Sequence, residues 1–206
     1  MSFTFIIGAI VAYLLGSIPS GLWVGQYFFK KDIRHFGSGN LGSTNAFRVL
    51  GKKAGSLVLF CDIFKGFLAM ILALTVFKQP DISPLWIASF AVIGHTFPIF
   101  ASFKGGKAVA TFAGMILAYQ PLLLLYGLII FLGLLAITRM VSLTAMVTIT
   151  LGVFLSLLFN DWTLTLFVLA IDIFIIYRHR SNIQRILNGT ENKVPMPWEQ
   201  KNKDTK

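Results

Sequence analysis

The sequence predicts an all-α, polytopic membrane bundle of about seven transmembrane helices. Of the 206 residues, 56% are hydrophobic and 13% are charged, with a mean hydropathy of +0.77. A soluble domain carries about a quarter charged residues. Apolar stretches recur at lengths near the roughly 20 helical residues that cross a hydrocarbon core of about 30 Å. Between them, basic loops alternate strictly with loops of little or no net charge.

The first helix is expected over about 4–28, where Pro19, flanked by Gly16, Ser17, Ser20 and Gly21, should kink it and permit close helix contact. A basic segment follows, with Lys30, Lys31, Arg34, Arg48, Lys52 and Lys53 against Asp32 alone. The second helix, about 54–77, holds Asp62 and Lys65 at i, i+3, spaced to form an ion pair near its start. Lys78 and Asp81 cancel in the next loop. The third helix, about 84–101, leads into Lys104 and Lys107. The fourth and fifth, about 107–119 and 121–137, are separated only by the uncharged Gln120–Pro121 turn. The fourth is short for a span, so a five-helix count with partial penetration is the alternative. After Arg139 comes the sixth helix, about 142–159, then a turn whose only charge is Asp161. The seventh, about 162–177, carries Asp172, which is expected to face the bundle and meet a cation or hydroxyl. A basic stretch begins at Arg178.

The positive-inside rule then puts the N-terminus outside and the C-terminus in the cytoplasm. Residues 1–187 form one integral-membrane domain, and 188–206 a polar cytoplasmic tail in which Pro195 and Pro197 rule out a long helix and Trp198 is placed to touch the membrane surface. No Lys or Arg precedes the first apolar run, unlike a cleaved signal peptide. Cys61, the single cysteine, excludes an internal disulfide. The net charge of +10 is explained first by topology and next by anionic lipid, not by nucleic acid.

Three polar segments fall on the cytoplasmic side. In "DIRHFGSGNLGSTNAFRVLGKKAG", Gly37, Gly39 and Gly42 let the backbone turn and approach a ligand. Ser38, Asn40, Ser43, Thr44 and Asn45 offer neutral donors, and Arg34 and Arg48 add charge, as suits an anion cradle. A plain loop bearing topology charges has the same composition. In "GHTFPIFASFKGGKAVAT", Lys104-Gly105-Gly106-Lys107 sits at a helix start, where a phosphate would be favoured. It is no nucleotide P-loop, since Ala101 and Ala108 replace the required Gly and Ser/Thr; snorkelling lysines are the simpler alternative. His95, on an apolar span, reads as a packed histidine. In "YRHRSNIQRILNG", His179 and Asn182 share a face if the seventh helix continues, with Arg178, Arg180 and Arg185 around them. A juxtamembrane basic helix for lipid headgroups would also fit. Arg139–Ser142 adds a cation and a hydroxyl on that side.

Carboxylates to hold Mg²⁺ are scarce here, so a metal-free, cofactor-free site for phosphate-bearing substrates is the better inference. A transporter for a phosphorylated metabolite would place polar groups through the midplane, where Asp172 is nearly alone. A lipid-binding scaffold would need the charges but not the Gly–Ser–Asn pattern.

"GSGNLGSTN", "GHTFPIFASFKGGKAVAT" and "HRSNIQRILNGTE", in this order, closely resemble the three motifs of the bacterial acyl-phosphate:glycerol-3-phosphate acyltransferase family, over roughly residues 10–191 and including "GSIPSG" and "DIFKG". Ala108 stands where Gly is common, and none of the three histidines begins a His-x-x-x-x-Asp motif of the thioester-dependent acyltransferases. The resemblance implies transfer of a fatty acyl group from acyl phosphate to the 1-hydroxyl of glycerol 3-phosphate, at the cytoplasmic face of a bacterial inner membrane. On that reading Ser38, Thr44, Asn45, Arg48, Lys104 and Lys107 hold the phosphates, while Gly37, Gly39 and Asn40 shape the cradle. Gly105 and Gly106 add backbone donors, Ser142 assists the donor, and Arg180 supplies charge. Asn182 orients the acceptor, and His179 is the leading base, with the donor's own phosphate oxygen its rival.

Overall fold

The computed structural model describes residues 3–195, in which every regular element is helical. The expectations for Pro197 and Trp198 fall outside the described residues. The chain divides after Leu124 into two compact units.

In the first unit the opening span comes as two helices, α1 (Phe3–Gly16) and α2 (Ser20–Phe29). They part at Pro19, which lacks an N–H to continue the ladder. Lys65 on α4 (Lys52–Thr75) attends to the break: its ammonium donates to the Ile18 carbonyl at 2.9 Å and pairs with Asp62 at 2.9 Å. The kink and the ion pair expected from the sequence are both present. Between α2 and α4 the polar segment is not a plain loop. It makes a 3₁₀ turn at Ile33–His35 and then α3 (Ser43–Leu50). Ile33, Leu41, Ala46 and Leu50 pack with Leu22, Val24, Val58 and Ala101 in one apolar cluster, which fixes the segment on its neighbours.

Two close helix crossings hold the unit, α4 with α6 (Val109–Tyr119) and α1 with α5 (Pro84–Thr96). A Cβ on Gly66 would overlap the Thr111 carbonyl, and one on Gly114 the Ile63 carbonyl, so α4 and α6 meet backbone to backbone. Gly16 and Gly94 do the same for α1 and α5, against Ala91 and Tyr13. Lipid tails give no hydrophobic drive between helices, so small residues that permit such contact hold the bundle.

The second unit carries most of α7 (Pro121–Thr138, whose first turn lies in the first unit), α8 (Val141–Ser156), α9 (Trp162–Arg178) and α10 (Arg180–Leu187). Asp161 caps α9 by accepting from the Leu164 N–H at 2.9 Å. Asp172 meets a hydroxyl, as expected: Thr150 on α8 donates to its carboxylate at 3.0 Å. The straight continuation past Arg178, on which a shared face for His179 and Asn182 is conditional, is not found. The chain bends by 60° between α9 and α10, with His179 at the corner.

Among the described residues, five helices are long and apolar enough to cross a membrane, counting α1–α2 as one, and a sixth if the bent α9–α10 pair is one span. The shorter apolar helix α6 has 11 residues, about 16 Å at 1.5 Å per residue, so it falls well short of a full crossing. The protein is a multi-pass, all-α membrane bundle.

Candidate active site

The glycine-rich segment is built around Asn45. This side chain is 1% exposed, and its amide donates to the carbonyls of Ile33 (3.0 Å) and Phe36 (3.1 Å). Its carbonyl oxygen accepts from the Ser38 N–H at 2.9 Å. Asn45 thus shapes the loop from below. Gly37 and Gly39 have φ of 62° and 69°, and a Cβ on Gly37 would strike the Asn45 amide oxygen. Asn40 accepts from the Gly42 N–H at 2.8 Å, turning the chain into α3. Arg34 is not an independent cation: it forks onto Asp32, whose carboxyl is held below its usual range by that hydrogen bond. Ser38, Thr44 and Arg48 are exposed, and the stem of Arg48 passes beside Gly37.

The lysine–glycine turn overturns one expectation. The N–H groups of Gly105 and Gly106, read as donors to a ligand, donate instead to the carbonyls of Thr96 (3.1 Å) and His95 (3.0 Å). The turn is latched onto the end of α5 before any substrate arrives. Both positions demand glycine, because a Cβ would overlap the His95 carbonyl at Gly105 and the His95 ring at Gly106.

Loop and turn share one cleft of about 540 Å³, lined by Arg34, His35, Ser38, Gly39, Asn40, Lys104 and Gly105. Its size suits a small polar metabolite. Gly37, Thr44, Asn45, Arg48, Gly106 and Lys107 lie outside its lining. His35, one of the two histidines that the sequence puts among the cytoplasmic polar groups and the one it gives no role, does line it.

The second unit has its own cluster. His179 is 4% exposed, and its Nδ1–H donates to the Ile175 carbonyl at 2.8 Å, so the neutral ring carries its lone pair on Nε2. The Asn182 N–H donates to the His179 carbonyl at 2.8 Å across the bend, so the pair stays together although the helix breaks. Arg180 stacks over the Tyr177 ring. Glu191, placed within the polar tail by the sequence reading, turns out to be central. Its carboxylate accepts from Ser142 and Asn182 through one oxygen and from Arg185 through the other, each at 2.8 Å. The chain runs on to Val194, which exchanges hydrogen bonds with Arg139. The only sequence signal for this was the "NGTE" that follows the basic helix.

Comparison with known proteins gives a consistent picture. The profile of the glycerol-3-phosphate acyltransferase family matches residues 6–189. The chain is 52% identical over 196 residues to a glycerol-3-phosphate acyltransferase of Listeria welshimeri, covering 94% of this chain and 98% of that one. It is 54% identical over 195 residues to that of Enterococcus faecalis, covering 90% and 89%. Among solved structures it is similar to PlsY (YgiH), an integral membrane glycerol 3-phosphate acyltransferase. With the glycerol 3-phosphate form the TM-score is 0.87 at 37% identity, over 93% of this chain and 96% of that one. With the lysophosphatidic acid form it is 0.83, again at 37%, over 93% and 95%.

The Glu191 network predicts an acid-sensitive fold. Burial works against its charge, but hydrogen bonds from Asn182, Ser142 and Arg185 outweigh burial and hold its carboxyl below the usual range. A group whose folded pKa is depressed stabilises above its unfolded value, about 4.3 for Glu, and loses that contribution as pH falls through the folded value. Wild type should therefore be more heat-stable in detergent than Glu191→Gln at pH 7, with the gap closing below pH ~4. A gap that stayed constant with pH would contradict this role.

Proposed function

The chain belongs to the glycerol-3-phosphate acyltransferase family, and from that premise we propose that it acylates the 1-hydroxyl of glycerol 3-phosphate using a fatty acyl phosphate as donor. The products are 1-acylglycerol 3-phosphate (lysophosphatidic acid) and phosphate. One observation carries the assignment to this chain's own residues: the glycine loop after the first span and the lysine turn before α6 line a single cleft.

The hydroxyl oxygen attacks the acyl carbonyl carbon, the bond from that carbon to the phosphate oxygen breaks, and phosphate leaves with the electron pair. Acyl phosphate is already an activated mixed anhydride, so no nucleotide is consumed. Ser38 and Lys104, at the cleft, are suited to hold a phosphate group, and Arg48 is exposed beside the same loop. Thr44 and Lys107 are assigned to the same task from their motif positions. Asn45 acts by fixing the Ser38 backbone. Gly105 and Gly106 act by letting the turn lie against His95.

His179, Asn182, Ser142 and Arg180 are assigned to the same reaction. The tautomer imposed by the Ile175 carbonyl leaves Nε2 as the basic nitrogen of His179, which suits it to take the hydroxyl proton. Asn182 orients the acceptor and Ser142 serves the donor, each held by Glu191. Holding both reactants in register supplies a large part of the rate enhancement.

The alternation of loop charges supports seven crossings, with the N-terminus outside and both polar clusters on the cytoplasmic face of a bacterial membrane. In this reading α6 completes its passage only with the flanking turn residues.

Purified protein in detergent, given palmitoyl phosphate and glycerol 3-phosphate, should form lysophosphatidic acid without added acyl-CoA; activity with acyl-CoA alone would overturn the donor assignment. His179→Asn should lower kcat about 100-fold with KM little changed and remove the acidic limb of the pH–rate profile. Near-normal turnover would instead give the proton to the departing phosphate. In a Cys61→Ser background, Ser38→Cys and Ser181→Cys should both react with an impermeant thiol reagent only from the cytoplasmic side. Labelling from opposite sides would end the topology.

A further inference from the structure

Beneath the lysine–glycine turn lies a buried polar cluster that the reaction as written does not use. Asp62 is 1% exposed, Lys65 5%, His95 7% and Thr111 0%. One Asp62 oxygen accepts from the Ser20 hydroxyl (3.1 Å) and from Lys65 (2.9 Å), and lies 3.7 Å from His95 Nδ1. That same nitrogen shares a 3.0 Å hydrogen bond with the Thr111 hydroxyl at the start of α6. Four helices, α2, α4, α5 and α6, therefore meet at one carboxylate and one imidazole.

As a brace this cluster is poorly made. The second Asp62 oxygen, the Ser17 hydroxyl and the Thr96 hydroxyl are buried without a hydrogen-bond partner among the described residues. Apolar side chains of similar volume commonly match or exceed a buried ion pair in stability. What they could not do is fix the direction of the His95 ring, and the turn depends on that ring. Its Nε2 edge meets Gly106, where any Cβ would collide with it, and the His95 backbone carbonyl receives the Gly106 N–H at 3.0 Å. The next carbonyl, of Thr96, receives Gly105. Lys104, one residue before, enters the cleft from this support.

We propose that His95, oriented by Asp62 and Thr111, is a positioning residue that seats the Lys104–Lys107 turn and so sets affinity for the phosphate-bearing substrate received there. It touches neither substrate; it acts through the turn. The inference rests on the proposed acyl transfer, and the test separates the two.

KM and kcat are measured for glycerol 3-phosphate and for palmitoyl phosphate with wild type, His95→Ala, His95→Asn and Thr111→Val. His95→Ala should raise KM for one of the two substrates about tenfold, the effect of misplacing one charge-assisted hydrogen bond, with kcat within about threefold. His95→Asn, whose amide reaches the position of Nδ1, should recover most of that loss. Thr111→Val removes only the ring's hydroxyl partner at equal volume and should shift the same KM in the same direction; it carries the test if His95→Ala does not fold. A wild type without turnover sinks the acyl-transfer reading. An active wild type with unchanged KM values in His95→Ala and Thr111→Val overturns the positioning role, as does a loss of folded protein and activity together at constant KM.

Discussion

Inside a bilayer there is no water to accept a stray hydrogen bond, and the first unit is organised by that rule. Pro19 breaks the opening span, and the Ile18 carbonyl there accepts from the Ser20 N–H and, from the neighbouring helix, from Lys65. A buried ammonium in turn requires a counter-charge, which Asp62 supplies at i−3. The pair can reach the break only because α4 is brought near, and glycine at the crossings lets these helices lie backbone to backbone. The cleft is carried on this arrangement, since the glycine loop and the lysine turn both spring from helices it holds.

Much of this was readable beforehand, and the reasons are physical. Span positions follow from length and hydropathy, and the Pro19 break and the Asp62–Lys65 spacing follow from local stereochemistry. What escaped were features set by tertiary contact. The α3 helix hid in a stretch of Gly, Ser, Thr and Asn, residues that favour turns; it forms because Ala46 and Leu50 bury one face against the apolar cluster. The Gly105 and Gly106 N–H groups looked available because a helix start normally leaves them so, yet two carbonyls at the end of α5 claim them. Glu191 lies beyond the last helix, α10, in a stretch whose composition is mostly polar. No periodicity marks a single carboxylate that gathers Ser142, Asn182 and Arg185.

The two clusters share a mode of construction despite their different chemistry. In each, a buried side chain with several hydrogen-bonding atoms sits behind the groups that would meet substrate: Asn45 behind Ser38, and Glu191 behind Asn182 and Ser142. Ser38 is an exposed residue on irregular backbone, which alone would wander, whereas Ser142 and Asn182 are buried on helices and owe their orientation to Glu191. Their supports are satisfied on every side, so the polar atoms facing a ligand are held by neighbours that have no reason to move.

That bears on how a small molecule could block the cleft. Asn45 already stitches the glycine loop to Ile33 and Phe36, so a visitor there enters a finished mould and need not freeze a floppy strand around itself. The entropy of ordering is borne at folding, leaving the visitor's own freedom as the chief loss on docking. Stiff phosphonate mimics, with few torsions to surrender, are therefore the scaffolds from which inhibitor chemistry against this enzyme would best begin.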